Sequence, residues 1–248
     1  MSAEAFYRYY DLLYAEKDYL GEAHIVLSLL RQRSRNPIVD ILDVGCGTGR
    51  HAREFARLGC AVHGIDVEPD AITLAERNNI SPIVTFACGT VDRIARNDFD
   101  GAVSLFNVIN YIIDDDALAS MFEGIADRIK PGGAFVFDSW NGTAALADPP
   151  REKISDISHN GDRARVALRP TPVQYGRYVT MDMAVDVTLG SGTTASFACS
   201  YRHRLWTPNE LSSALVKAGL SDVRVTRWMS DEAATDKDWK IMFSALRE

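Results

Sequence analysis

The segment from Ile41 to His51 constrains the fold more than any other part of the chain. Its first residues are apolar, and Gly45, Gly47 and Gly49 follow before a helical pattern begins. Because glycine lacks a Cβ atom, the backbone can turn tightly there and come close to a ligand. The helix N-terminus that follows presents N–H groups without partners inside the helix. The segment therefore predicts a strand, a ligand-binding turn and a helix.

Short apolar runs alternate with helical patterns on both sides of this turn. The runs are continuous rather than alternating in polarity, which is typical of strands that helices cover on both faces. The predicted elements are helix Tyr19–Arg33, strand Val39–Val44, helix Arg50–Leu58, strand Ala61–Ile65, helix Pro69–Asn78, strands Ile83–Phe86 and Gly101–Phe106, helix Asp115–Ile129 and strand Ala134–Asp138. This order predicts an α/β fold with a Rossmann-like, doubly wound, mainly parallel sheet.

The pattern changes after Trp140. Residues 154–206 contain β-type stretches, Arg177–Leu189 and Thr194–Trp206 among them, with turn residues at 190–192. They predict an antiparallel β meander inserted into the α/β order.

The last part of the chain returns to the main sheet. A helix at Glu210–Ala218 leads to strands at Val223–Trp228 and Ile241–Leu246, which brings the predicted sheet to seven strands. We expect one main domain from residues 1–150 and 207–248. The insertion at 151–206 would form a substrate lid or a homodimer interface.

Charge and composition limit the partners. The 248 residues are 46% hydrophobic, and the net charge is −7 with no long run of lysine or arginine. This balance fits a globular protein and argues against nucleic acid as a partner. The chain has no signal-peptide pattern and no long apolar stretch, so we expect a cytoplasmic protein that does not enter a membrane. Its five histidines and four cysteines form no ligand pattern, and we predict no metal.

Two acidic residues end the strands around the glycine turn. Asp43 lies two residues before the first glycine, and Asp66 ends the next strand. Open α/β sheets bind ligands at the carboxyl ends of their strands, where Asp66 can accept hydrogen bonds from two ribose hydroxyls. Both NAD and S-adenosylmethionine contain a ribose, but the GxGxG spacing differs from the GxGxxG of dinucleotide sites.

The turn Asp43-Val-Gly45-Cys-Gly47-Thr-Gly49 resembles motif I of the class I S-adenosylmethionine-dependent methyltransferases. The resemblance implies S-adenosyl-L-methionine as cofactor and S-adenosyl-L-homocysteine as product. It places Gly45 and Gly47 along the methionine part, the Asp43 region at its amino end and Asp66 at the ribose. The remaining residues of this predicted cofactor set are Cys46, Gly49, Val67 and Leu105.

One position departs from this family pattern. Relatives commonly carry Gly-Asp after the third strand, with the acid at the adenine amino group, whereas this chain has Cys88-Gly89 there. Backbone groups at Thr90 and Val91, or the side chain of Asp92, would then hold the adenine. Asp92 also fits an ordinary acid at a helix start.

Three longer features suggest a narrower group. The opening YYDLLYAEKDY, the β insertion and the segment LWTPNELSSALVKAGL are similar to the sugar-nucleotide N,N-dimethyltransferases that complete the amino sugars of macrolide antibiotics. The similarity implies N-methylation of a small molecule, an amino sugar linked to a nucleotide. An O-methyltransferase of a sugar or secondary metabolite, a non-catalytic cofactor-binding protein and an NAD(P)-dependent oxidoreductase stay open as alternatives, although no Tyr-x-x-x-Lys pair supports the last.

Aromatic residues are the candidates for the reacting end of the site. Tyr111, where the amino-sugar enzymes have a nearby histidine, would orient an amine or form an apolar wall. Trp140 would pack on the substrate or belong to the core. Tyr10 and Tyr14 share one face of a short N-terminal helix, where one of them would contact the sulfonium or pack as part of a lid.

Arginines of the meander are the candidates for phosphate binding. Guanidinium groups bind phosphate oxygens in pairs, which makes Arg177, Arg202 and Arg204 candidates for a sugar-nucleotide pyrophosphate. Arg202 and Arg204 point to one side of a strand and His203 to the other. Arginines on an exposed sheet face are the alternative interpretation.

Overall fold

The computed structural model describes residues 3–173 and 177–248. Its helices are α1 (Ala3–Leu13), α2 (Tyr19–Arg33), α3 (Arg50–Arg57), α4 (Pro69–Arg77), α5 (Val108–Tyr111), α6 (Asp115–Arg128), α7 (Gly142–Ala147) and α8 (Pro208–Lys217). Its strands are β1 (Asp40–Val44), β2 (Ala61–Asp66), β3 (Val84–Cys88), β4 (Phe99–Ser104), β5 (Ile129–Trp140), β6 (Lys153–His159), β7 (Asp162–Pro170), β8 (Tyr178–Thr188), β9 (Thr194–Arg204), β10 (Leu220–Arg227) and β11 (Lys240–Arg247). Within these ranges no helix has both the length and the apolar character needed to span a membrane.

The central sheet has the strand order β10-β11-β5-β4-β1-β2-β3. β1 pairs in parallel with β2 and β4, whereas β11 runs antiparallel to β5 and β10. The chain continues from β1 to β2 and β3 on one side, and places β4 and β5 on the other. This change of direction opens a crevice at the carboxyl ends of β1 and β4. The predicted doubly wound, mainly parallel, seven-stranded sheet is confirmed.

Helices cover both faces of the sheet, as the continuous apolar runs predict. Leu27 of α2 and Phe55 of α3 are buried in the apolar layer on one face. Phe122 of α6 and Leu211 of α8 are buried in the layer on the other. Burial of a side chain of this size contributes about 1.5–3 kcal/mol. The two layers fix the sheet and therefore the places where its strands end.

The insertion forms a separate antiparallel sheet in the order β6-β7-β8-β9. Helix α1 covers one face of it, where Leu13 is buried with Val166 and Val185. The ring of Tyr9 stacks on that of Phe197, with centroids 5.8 Å apart. These contacts hold α1 next to the crevice of the main sheet. The homodimer interface through this insertion stays a prediction.

The predicted and observed elements differ in two cases: where pairing with other strands sets the ends of a strand, and where a helix is too short to show a helical period. β5 begins at Ile129 and ends at Trp140, beyond both predicted ends, because it pairs with β4 and β11. The helices α5 and α7 were not predicted, since four and six residues are too few to show a helical period.

Candidate cofactor and acceptor site

A cavity of about 1250 Å³ opens at the carboxyl ends of the central strands. The glycine turn after β1, the ends of β2 and β4, helix α1 and the inserted sheet all contribute to its lining. It therefore occupies the crevice where the strand order reverses, which is the position expected for a ligand in an open α/β sheet.

The glycine turn is left-handed at each of its three glycines, with φ values of 77°, 55° and 73° at Gly45, Gly47 and Gly49. A Cβ atom on Gly45 would lie 2.6 Å from both Cγ atoms of Val108, so this glycine is required by packing. A Cβ atom on Gly47 would meet nothing within 4 Å. Gly47 therefore borders open space in the cavity, as a ligand-contacting backbone should.

Gly49 does not contribute to the lining of the cavity, although we expected it to bind the cofactor. A Cβ atom there would collide with the ring of Phe86. Its requirement for glycine comes from packing against β3 and from its left-handed φ. Cys46 and Leu105, from the same predicted set, do line the cavity.

Asp66 faces the cavity and also holds the glycine turn. Its Oδ2 accepts a hydrogen bond from the N–H of Gly47 at 2.8 Å, and its Oδ1 accepts one from the N–H of Glu68 at 3.0 Å. Burial raises the pKa of this carboxyl group above its usual value. Each carboxylate oxygen can accept a second hydrogen bond, which leaves room for two ribose hydroxyls.

Asp43 lies behind the turn and does not line the cavity. It is buried, and its Oδ2 has no hydrogen-bond partner among the described residues. Burial, followed by the charge of Asp66, raises the pKa of Asp43 to about 7. An unpaired buried carboxylate oxygen is costly, and a cation bound on the other side of the turn would reduce that cost.

Tyr19 and Arg50 form a corner of the cavity that the sequence analysis missed, and the Arg50 guanidinium also lies 3.8 Å from the Asp11 carboxylate. The Arg50 guanidinium lies 4.3 Å from the centroid of the Tyr19 ring. The Tyr19 hydroxyl is buried without a partner among the described residues. A guanidinium beside a free phenol suits a carboxylate. The sequence feature that could have identified Arg50 is its position at a helix start, directly after the last glycine of the turn.

The wall after β3 consists of Gly89, Thr90, Val91 and Asp92, and we call it the β3 wall. All four residues line the cavity, as does Val67, which is 60% exposed at the end of β2. A hydrogen bond from the Thr90 side chain lowers the pKa of Asp92. The structure thus brings together the residues predicted for the adenine, and their roles stay a prediction.

Five more tyrosines line the cavity, and we call them the tyrosine wall: Tyr7, Tyr10, Tyr14, Tyr111 and Tyr201. The rings of Tyr10 and Tyr14 are 4.7 Å apart, and those of Tyr111 and Tyr201 are 5.5 Å apart. Half of the Tyr111 surface is exposed, on the side of the cavity. Burial raises the pKa of Tyr14 to about 12, so its phenol is neutral near pH 7.

The predicted role of Trp140 is not supported by its position. Its ring packs edge-on against Trp239 and against His203, and it borders a smaller, separate pocket. Trp140 lies outside the lining of the main cavity, and it pairs with Lys240 at the start of β11. We therefore correct its assignment from substrate contact to packing.

The three predicted phosphate-binding arginines also lie outside the cavity lining. Arg177 pairs with Glu210, and Arg204 is buried in an ion pair with Asp115 at 2.8 Å. Arg202 is exposed, with its guanidinium 5.7 Å from the centroid of the Tyr178 ring. Arg177 and Arg204 are therefore already paired with acidic residues at the junction with the main sheet. The arginine of the inserted sheet that does line the cavity is Arg169.

His203 is a further residue whose place beside the site the sequence analysis did not recognise. It is 4% exposed, and neither ring nitrogen has a hydrogen-bond partner among the described residues. Its ring lies between those of Tyr111, Tyr201 and Trp140. Burial lowers the pKa of His203 to about 4, so the imidazole is neutral near pH 7.

Metal ligation was not expected from the sequence. In the parts of the chain that the structure describes, no three His, Cys, Asp or Glu side chains come together as a metal site. The prediction that the protein uses no metal stays a prediction.

Known proteins resemble this chain in sequence and in fold. The family model described as "Methyltransferase domain" matches residues 41–133, which contain the glycine turn, β2, the β3 wall and β4. The dTDP-3-amino-3,4,6-trideoxy-alpha-D-glucopyranose N,N-dimethyltransferase of Streptomyces venezuelae is 31% identical over 85% of this chain and 88% of its own length.

Solved structures share the complete fold. The crystal structure of Streptomyces venezuelae DesVI matches with a TM-score of 0.83 at 22% identity and covers 100% of both chains. CalS10, an amino pentose methyltransferase from Micromonospora echinaspora involved in calicheamicin biosynthesis, was solved with S-adenosylmethionine bound. It matches with a TM-score of 0.75 at 23% identity, over 99% of this chain and 96% of its own.

The sequence match covers the glycine turn and the acid of β2, which are the features that line the cofactor end of the cavity. The match to the dimethyltransferase extends over the inserted sheet as well. Together with the free polar groups of Tyr19 and Asp43, these features fit a cofactor with a carboxylate, a cation and a ribose. The chain belongs to the class I S-adenosylmethionine-dependent methyltransferases.

Proposed function

We propose that the protein methylates the nitrogen of an amino sugar carried on a nucleotide. The observation that carries the proposal is the tyrosine wall, whose neutral phenol groups line the cavity and which we assign to the acceptor. A neutral amine donates an N–H to a phenol oxygen and keeps its lone pair free. The relative that is 31% identical is named as an enzyme for such a substrate.

The polar groups around the glycine turn suggest how the cofactor lies. We place its carboxylate at Arg50 and Tyr19, its ammonium on the cavity side of Asp43, and its ribose at Asp66. The adenine would lie along the β3 wall, with Val67 against its ring. The methyl group then faces the tyrosine wall across the cavity.

The chain contributes to the reaction by aligning the acceptor with the methyl group, and the acceptor amine reacts in its neutral form. When bound, the cofactor supplies a methyl group on a positively charged sulfur. The chain must align the acceptor nitrogen with that methyl group and keep water out. The faces of Tyr10 and Tyr14 favour nearby positive charge. A neutral amine becomes an ammonium on methylation and loses its proton to solvent afterwards, so no side chain has to remove a proton first.

Arg169 is the residue that we propose for the nucleotide phosphates. Its guanidinium pairs with Glu152 at 3.0 Å, and both side chains are more than half exposed. Exposed pairs of this kind contribute little, so an incoming phosphate can replace the carboxylate. The register of β7 and β8 places Arg169 beside Asp182, which also lines the cavity.

A paired panel of acceptors tests the proposal. The protein would be incubated with S-adenosylmethionine and thymidine-diphosphate sugars, each amine tested beside the same sugar with a hydroxyl at that carbon. We expect mass spectrometry to show methyl groups on the amines and none on the hydroxyl sugars. Methylation of the hydroxyl sugars alone would contradict the proposal. In that case Asp182 becomes the candidate base, and Asp182→Asn should abolish the reaction.

A matched pair of tyrosine variants tests the wall itself. Tyr111→Phe should reduce kcat by about tenfold, the usual effect of losing one hydrogen bond to the reacting group. Tyr178→Phe is the control, because the Tyr178 hydroxyl donates to the Ile113 carbonyl and does not line the cavity. Equal rates for the two variants would remove Tyr111 from the acceptor site.

A further inference from the structure

Two consecutive residues at the end of β4 are left-handed without being glycine. Phe106 has a φ of 74° and Asn107 a φ of 60°. Asparagine tolerates this region, but a bulky residue such as phenylalanine adopts it only when its surroundings require it. Interactions with other residues must therefore stabilise this turn.

The carboxylate of Asp138 stabilises the turn by accepting hydrogen bonds from its backbone. Its side chain is completely buried, and its Oδ1 accepts hydrogen bonds from the N–H of Phe106 at 2.6 Å and of Asn107 at 3.2 Å. Its Oδ2 also accepts from Asn107 at 3.2 Å and pairs with the Lys240 ammonium at 3.0 Å. A carboxylate that receives backbone N–H groups forms strong, charge-assisted hydrogen bonds.

The turn that Asp138 holds borders the cofactor end of the cavity on two sides. Val108, the next residue, packs directly against the backbone of Gly45. The ring of Phe106 lines the cavity and meets the edge of Tyr14, with centroids 4.9 Å apart. The Lys17 ammonium lies 4.7 Å from the centroid of the same ring. A movement of this turn would therefore reach both the glycine turn and the segment after α1.

We propose that Asp138 is a positioning residue for the cofactor. Its carboxylate keeps Phe106 and Asn107 left-handed, and this conformation sets Val108 against Gly45 and Phe106 against Tyr14. Asp138 does not line the cavity, so it acts through the turn. The proposal depends on the cofactor and not on the identity of the methyl acceptor.

The chain contains a matched control for this carboxylate. Asp100 is 7% exposed and accepts hydrogen bonds from the N–H of Val39 at 3.0 Å and of Asp40 at 2.9 Å. It also binds the Lys130 ammonium at 2.7 Å. The partners are equivalent, but Asp100 lies at the other end of β4, and neither Val39 nor Asp40 is left-handed.

Calorimetric titration of the variants Asp138→Asn and Asp100→Asn with S-adenosylmethionine tests the proposal. Because displacements of about 1 Å can cost a hundredfold in function, we expect the Kd of Asp138→Asn to rise at least tenfold. The Kd of Asp100→Asn should stay within about twofold of the parent. Hydrogen exchange at the amides of Phe106 and Asn107 should accelerate in Asp138→Asn alone. Equal Kd values in the two variants, or unchanged exchange at these amides, would overturn the proposal.

A glycine at position 107 gives a second test, which does not need Asp138→Asn to be fully stable. Glycine adopts a left-handed φ without steric cost. The double variant Asp138→Asn/Asn107→Gly should therefore regain part of the cofactor affinity lost in Asp138→Asn, judged against Asn107→Gly alone. If a folded double variant binds no better than Asp138→Asn, the carboxylate does not act by holding the turn. If Asp138→Asn does not fold, Lys240→Met takes its place, with the same expected direction and Lys130→Met as control.

Discussion

The imidazole of His203 lies edge-on to the ring of Tyr111, with centroids 4.4 Å apart and planes at 86°. Tyr111 lines the cavity, whereas His203 lies behind it among aromatic rings. A charged imidazole would be poorly solvated there. The contact therefore places a neutral histidine directly behind Tyr111 of the tyrosine wall.

This burial predicts a pH dependence of stability. The pKa of His203 falls from 6.5 to about 4 on folding, so the unfolded chain binds more protons between these values. Stability that is present above pH 6.5 is then lost as the pH falls toward 4. At 1.36 kcal/mol for each pKa unit, the loss is about 3 kcal/mol.

The variant His203→Phe should remove this part of the pH dependence. Urea unfolding at several pH values between 4 and 7 measures it as a flatter slope of unfolding free energy against pH. His24→Phe is the control, because His24 is exposed on α2. A slope unchanged by His203→Phe would show that the histidine is not buried in its neutral form.

From the raised pKa of Asp43 we predict that cofactor binding releases a proton. With a pKa raised to about 7, this carboxyl group is partly protonated at neutral pH. A cofactor cation on the other side of the turn favours the ionised form, so the affinity should rise from pH 6 to pH 8. Calorimetry in two buffers with different ionisation enthalpies counts the released protons. Asp43→Asn should lower that number, while Asp98→Asn, at an exposed acid remote from the cavity, should leave it unchanged.

The ribose site predicts a loss of affinity in Asp66→Ala. Removing this carboxylate takes away the proposed hydroxyl acceptors and the contact with the Gly47 N–H. The Kd for S-adenosylmethionine should rise at least about tenfold, which corresponds to about 1.4 kcal/mol. Asp70→Ala on α4 provides the comparison, because Asp70 follows the same strand but does not line the cavity. Similar Kd values for the two variants would place the ribose elsewhere.

What could be predicted from the sequence is largely what neighbouring residues determine. The glycine turn, Asp66 and the doubly wound class of the sheet follow from local pattern, and the structure agrees with these predictions. Trp140 and Arg204 could not be placed in this way. Which face of a strand becomes the junction with another sheet depends on pairing between distant segments, and that junction buries Arg204 against Asp115. The same junction buries His203, which alternation along β9 places on the opposite side from Arg202.

Arg169 replaces the predicted arginines as the residue whose loss should weaken acceptor binding. If it binds the phosphates equally in the ground state and the transition state, Arg169→Ala raises the acceptor KM and leaves kcat nearly unchanged. A lost charge-assisted hydrogen bond of about 1.5–3 kcal/mol corresponds to a KM at least about tenfold higher. Arg165→Ala is the matched control, because Arg165 lies four residues earlier on the same strand and pairs with the exposed Asp156 without lining the cavity. Steady-state kinetics with a thymidine-diphosphate amino sugar measures both values. A fall in kcat at constant KM would mean that Arg169 acts on the reacting end of the acceptor, and equal KM values for the two variants would mean that the phosphates bind elsewhere.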